Sequence, residues 1–105
     1  MPDAILFEAS SRLGVTIRVI HDYWNIISTI KHPAVRGREA DFKAVLESPD
    51  KIRRSRCDSS VLLFYRLERA KRWLCAVVKR LNGDGFLATA YPTDSIKEGE
   101  RLWSK

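Results

Sequence analysis

Hydrophobic positions change their period several times along this 105-residue chain. Val15-Thr16-Ile17-Arg18-Val19-Ile20 is β-branched and roughly alternating, which predicts a strand or an extended lead-in. From His21 the apolar residues Tyr23, Ile26, Ile27 and Ile30 recur at i, i+3, i+4 and i+7, one face of a helix. Asp22 is its expected N-cap. Pro33 ends it, because the residue before a proline is pushed out of the α region. Arg36-Gly37-Arg38 reads as a turn. Phe42, Val45 and Leu46 mark a second amphipathic helix from about Glu39 to Glu47, stopped by Ser48-Pro49-Asp50.

Beyond Asp50 the texture is β. Lys51–Arg56 is a short basic strand, and Cys57-Asp58-Ser59 turns. Ser60–Leu67 is strongly apolar, Glu68-Arg69-Ala70-Lys71 is a hairpin loop, and Arg72–Leu81 is the next strand. Asn82-Gly83-Asp84-Gly85 carries the strongest turn signal, since Asn-Gly tolerates positive φ. Phe86–Tyr91 follows, closed by Pro92. Helix, helix, then a four-stranded antiparallel meander predicts an α+β fold with both helices on one face of the sheet. Ile5-Leu6-Phe7 offers an extra N-terminal strand, ended by Ser10-Ser11-Arg12-Leu13-Gly14. Leu102 and Trp103 offer a short C-terminal helix.

A length of 105 residues predicts one domain over 1–105, large enough for its own core. An apolar content of 45% with 30% charged residues is ordinary for a globular protein. Cys57 and Cys75 are far apart and form no CxxC pair, so free thiols in a reducing compartment are expected. No basic segment leads into an apolar leader, and the apolar runs are far too short to span a membrane. A cytoplasmic protein without membrane contact is the expectation.

Charge changes the picture. Residues 1–50 carry six Lys/Arg and seven Asp/Glu, residues 51–80 ten and two, and residues 81–105 three and four. The formal net charge of +6 is therefore concentrated in the predicted strands. A sheet that gathers this much positive charge fits a polyanion, with nucleic acid the default. A solvated basic surface kept for solubility is the alternative.

Alternation sorts the strands into faces. Arg54 and Arg56 share a side with Ile52, opposite Lys51, Arg53 and Ser55. Leu62, Phe64 and Arg66 oppose Val61, Leu63 and Tyr65. Trp73, Cys75, Val77 and Lys79 oppose Leu74, Ala76, Val78 and Arg80. In the last strand Thr89 and Tyr91 are expected on the side of Leu87. A pairing that brings Arg53, Tyr65, Lys79 and Thr89 onto one open face makes a phosphate site, with cations, a ring for a base and hydroxyls. Each of these residues also has an ordinary role, as an edge charge or a half-buried packing ring.

The two histidines are the ready acid–base groups near neutral pH. His21 and His32 stand about three helical turns apart, roughly 16 Å, too far to flank one phosphate. His32, beside Arg36 and Arg38, is the better catalytic candidate, and a contact with the helix dipole is its structural alternative. His21 fits a structural or capping role. Phosphate-binding glycine loops, HExxH, GxSxG and acidic metal clusters are absent from the sequence, and no cofactor or metal is expected. Nuclease chemistry here would therefore be metal-independent and directed at RNA. The 2′-OH is an internal nucleophile, so the protein need supply only an acid–base group and cations.

The order helix, helix, four-stranded meander resembles the barnase–EndoU–colicin–RelE group of small ribonuclease and toxin domains, nearest its phage-associated members. The resemblance is carried by WNIISTIKHP (24–33), ESPDKIRRSR (47–56), VLLFY (61–65), LCAVV (74–78) and GFLATAYPT (85–93), spanning about residues 20–95. It implies metal-independent endoribonuclease activity of a toxin-like kind, with an acidic antitoxin or immunity protein as partner besides RNA. It assigns catalytic roles to His32, Arg53, Lys79 and Thr89. Arg36, Arg54, Arg56, Tyr65, Tyr91 and Thr93 would bind substrate. A non-catalytic nucleic-acid-binding module, or an interaction domain for an acidic protein, remains the alternative.

Overall fold

The computed structural model describes residues 4–81, 83–97 and 99–104. Its centre is one seven-stranded mixed sheet, not two helices on a four-stranded meander. The strands are β1 (Ile5–Ser10), β2 (Thr16–Ile20), β3 (Lys51–Ser55), β4 (Val61–Arg69), β5 (Arg72–Leu81), β6 (Asp84–Thr93) and β7 (Gly99–Ser104). Their order across the sheet is β1-β2-β6-β5-β4-β3-β7. Antiparallel pairing holds throughout except at β2–β6, where Ile17 and Arg18 lie parallel to Gly85 and Phe86.

At the chain's ends one expectation holds, the extra N-terminal strand, and one fails, the C-terminal helix. The N-terminal apolar stretch is half of a β1–β2 hairpin that extends the sheet past β6. Residues around Leu102 and Trp103 form β7, not a short helix, and β7 covers the far edge of β3. β3 is thus an interior strand. Asn82 lies outside the described residues. Its neighbour Gly83 has φ +87°, as the two-residue turn between Leu81 and Asp84 requires.

The first helix, α1 (His21–Ile26), starts directly from β2 with Ile20 at its N-cap and no side-chain cap. Asp22 therefore sits in the first turn, where its charge favours the helix dipole, rather than capping it. The run Ile26-Ile27-Ser28-Thr29-Ile30 is rich in β-branched residues, which suit an α-helix poorly. The Thr29 hydroxyl donates to the Asn25 carbonyl at 2.5 Å, competing with the backbone ladder. From Ile27 to Lys31 the helix widens to π geometry, and the His32 N–H reaches the Ile27 carbonyl at 2.7 Å. Pro33 prevents continuation, so His32 leaves the helix with φ −141° and ψ 76°. Pro33–Val35 makes one 3₁₀ turn.

The second helix, α2 (Glu39–Glu47), buries Phe42, Val45 and Leu46 at i, i+3 and i+4. Arg38, just before it, binds Asp41 at 2.9 Å and Glu68 at 2.5 Å, tying the helix start to the end of β4. The main core joins those side chains to Trp24, Ile27 and Val35 and to one sheet face, with Ile17, Val19, Ile52, Leu62, Phe64, Ala76, Val78 and Leu87. The other face has a smaller cluster of Leu63, Tyr65 and Cys75, with Val61, Trp73, Val77 and Tyr91 around it. Among the described residues, only Ile96, from the segment after β6, joins it from outside the sheet. No described helix is long and apolar enough to cross a membrane.

Candidate nucleic-acid interface

The pairing registers fix what lies on this second, more open face. One row crosses it as Arg101–Arg53–Leu63–Val77–Thr89, from β7 through β3, β4 and β5 to β6. The row on one side reads Lys51–Tyr65–Cys75–Tyr91, and that on the other reads Val61–Lys79–Phe86. Arg53, Tyr65, Lys79 and Thr89 thus share one face.

Thr89 arrives there by a β-bulge. Val77 pairs with Thr89 but Val78 with Leu87, leaving Ala88 as the extra residue. The inserted residue reverses the alternation, so Leu87 is buried in the main core while Thr89 and Tyr91 face the other way. The expected side-sharing of Leu87 with Thr89 and Tyr91 is overturned by that single residue.

The four residues do not converge on one reacting phosphate. Arg53 and Thr89 are separated by three strand spacings, about 14 Å. The Arg53 Nε and the Thr89 hydroxyl are both enclosed without a hydrogen-bond partner among the described residues. Lys79 is held by Asp58 at 2.8 Å. The Lys79 ammonium, with the Ser60 hydroxyl and N–H, keeps the Asp58 carboxyl well below the usual carboxylate range. Tyr65 is fully buried, and its hydroxyl accepts the Lys97 N–H at 3.1 Å, so its ring offers no platform for a base.

The other expected residues divide. Tyr91 is half-buried on the open face, and the His32 ring lies against it with centroids 5.3 Å apart and planes inclined by 36°. Thr93 ends β6 opposite Trp73, its hydroxyl occupied with Ser95. Arg54 points to the opposite side and pairs with Glu100 at 2.9 Å. Arg56 is exposed in the bend after β3. Arg36 lines a separate cavity with His21, Trp24, Asn25 and Glu39, away from the strand cations.

Sequence reasoning missed three participants. Cys75 lies between Tyr65 and Tyr91 in its row and is hydrogen-bonded to both phenols. Burial is the main cause that pushes its thiol up to about 11 and the Tyr65 phenol up to about 12, and it raises Tyr91 as well. Lys97 stands over the Tyr91 ring, 6.0 Å from its centroid. Asp58 was legible as a turn residue, though not as the partner of Lys79. His32, Tyr91, Cys75, Tyr65 and Lys97 form one connected group at the margin of the open face. Cys57 and Cys75 are both free. Among the described residues no three His, Cys, Asp or Glu side chains gather as a metal-ligand set.

Chemically, the face offers an apolar floor of Val61, Leu63 and Val77 fringed by cations, with one imidazole at its edge. Scanned against protein-family models, curated proteins and solved structures, the chain matches none.

Proposed function

We propose that this protein binds RNA across the open sheet face and cleaves it without a metal, through attack of the 2′-OH. The observation that carries the reading is the placement of His32 against Tyr91, next to Lys97 and at the border of a face carrying Arg53 and Arg101. Phosphates bind to the fringe of cations. His32 serves as the acid–base group, and Lys97 offsets charge as it develops on the phosphorane. Arg53 contributes to strand binding, whereas Lys79, paired with Asp58, and Thr89, its hydroxyl enclosed, lie outside the reacting centre. An acidic protein partner would cover the same cations, as for a toxin-like ribonuclease held by an antitoxin. The helix–helix–four-strand order behind the likeness to small ribonuclease toxins is not the order of this fold, so the support comes from the face itself.

A second reading, a binding module without catalysis, is favoured by the Lys79–Asp58 pair and by the span between Arg53 and Thr89. Incubation of the protein with tRNA and total RNA in EDTA separates the two. Discrete fragments ending in 2′,3′-cyclic phosphate are expected. Intact RNA that shifts on a gel at low salt leaves the binding module, and RNA neither cut nor shifted defeats both.

A further inference from the structure

Where β2 leaves the sheet beside β6, a cavity of about 450 Å³ opens between Arg18, Tyr23, Leu81, Asp84 and Phe86. This lies in the roughly 300–1,000 Å³ range of small-ligand sites. The β2 strand pairs with β6 over Ile17 and Arg18 and then turns into α1, so the helix brings Tyr23 against Phe86, with ring centroids 6.2 Å apart. Tyr23 and Leu81 are about half exposed, at 45% and 53%. Their apolar surface, left wet, lines a hollow with a polar edge. There Arg18 Nη1 donates to Asp84 Oδ2 at 3.1 Å, which sets a donor group beside an acceptor group.

We propose that this cavity is a subsite for one unpaired nucleobase, and hence that the strand bound on the open face is single-stranded RNA. The proposal rests on the reading of that face as an RNA site. Continuity supports it, because Phe86 sits directly across the ladder from Lys79 and beside Arg18 in the parallel pair. A strand crossing the adjacent row, from Arg53 towards Thr89, therefore passes the mouth of the cavity. Aromatic walls take the flat face of any base, and an edge of alternating donor and acceptor matches the edge of a base rather than an aliphatic ligand. In an A-form duplex the bases are stacked and paired, and cannot enter.

The test uses the full chain and fluorescently labelled 2′-O-methyl RNA, which cannot be cut by 2′-OH attack. Three probes of equal length are compared by anisotropy at several salt concentrations: a single strand, its duplex, and a single strand made wholly of abasic residues. The expected result is binding to the single strand at least tenfold tighter than to the other two, the scale of base–aromatic stacking. Phe86→Leu should shrink that advantage to about twofold. Tyr23→Ala, at a half-exposed position, reads the same quantity should Phe86→Leu fail to fold. An advantage untouched by these changes, with binding still salt-sensitive and weakened by Arg53→Ala, overturns the subsite and leaves the face reading standing. If none of the three probes binds in a salt-sensitive way, the face reading falls and the subsite with it.

Discussion

The imidazole of His32 rests against the phenol ring of Tyr91, centroids 5.3 Å apart, and does so because the chain leaves a π-widened helix just before Pro33. The contact orients the ring, and the acid–base role proposed for it needs its nitrogens. His32→Phe keeps an aromatic ring in this place and removes the proton transfer. Cleavage of RNA in EDTA should drop by about 10²- to 10⁴-fold while gel-shift affinity stays within about twofold of the parent. Cleavage at the parental rate would remove His32 from the mechanism.

The Tyr65–Cys75–Tyr91 row sets an alkaline limit on stability. Burial pushes the Cys75 thiol from 9.0 up to about 11 and the Tyr65 phenol from 10.0 up to about 12. Between these values the folded chain keeps protons that the unfolded chain has released, so stability falls as pH rises. It should be intact below about pH 9 and decline by roughly 4 kcal/mol by pH 11. Urea titrations at pH 8 and pH 10.5 measure the decline. Cys75→Ala should flatten its first part; an unchanged slope would mean that other groups set the limit.

Much of the sheet was legible in the sequence and part of it was not, for reasons visible in particular residues. The alternation in Arg72–Leu81 gave the correct two faces, since that strand is regular and its polar and apolar sides differ. The alternation in Phe86–Tyr91 misled, because a bulge at Ala88 leaves no mark in a string of small residues. Strand β7 was obscured in a similar way. Ile52 pairs with Trp103 and Arg53 with Arg101, so Leu102 is an inserted residue and the two apolar positions stand adjacent, as in a helix turn. The parallel β2–β6 contact joins segments more than sixty residues apart, and no local pattern encodes it. The site shows the same division. His32 and the strand cations could be picked by residue type, whereas the partners Cys75, Lys97 and Asp58 depend on register and on the path of the chain after β6.

Gly99 is the one residue in β7 whose identity the pairing dictates. A Cβ there would lie 2.3 Å from the backbone carbonyl oxygen of Arg54 on the neighbouring strand, a distance no packing adjustment of side chains can relieve. Gly99→Ala should cost about 1–3 kcal/mol in urea unfolding, as the start of β7 lifts away from β3. A variant as stable as the parent would show that β7 is not seated as described.

Lys71 has the opposite problem. It occupies the turn between β4 and β5 with φ 61°, a left-handed conformation that a side chain disfavours. Lys71→Gly should therefore stabilise the fold by roughly 0.5–1 kcal/mol, with the gain from relieved strain partly offset by the greater freedom of glycine in the unfolded chain. A loss of stability would mean that the lysine side chain makes contacts that outweigh its backbone strain.

Asp58 offers the most direct handle on the electrostatics of the face. Its carboxylate holds the Lys79 ammonium at 2.8 Å, and so one of the cations nearest the Phe86 cavity is already compensated. A phosphate approaching Lys79 must compete with that carboxylate and is repelled by it. Asp58→Asn keeps the size of the side chain and an oxygen for the Ser60 N–H, but removes the charge. Lys79 then becomes available to a phosphate, so affinity for RNA should rise a few-fold near physiological salt. The slope of log K against log salt should steepen by about 0.7, the value for one added contact to a single strand. The reciprocal change, Lys79→Met, should leave the parental slope nearly unaltered, because in the parent that lysine is engaged. If instead Lys79→Met flattens the slope by a full contact while Asp58→Asn does nothing, then RNA already displaces the carboxylate on binding, and Lys79 is a phosphate ligand in the parental protein.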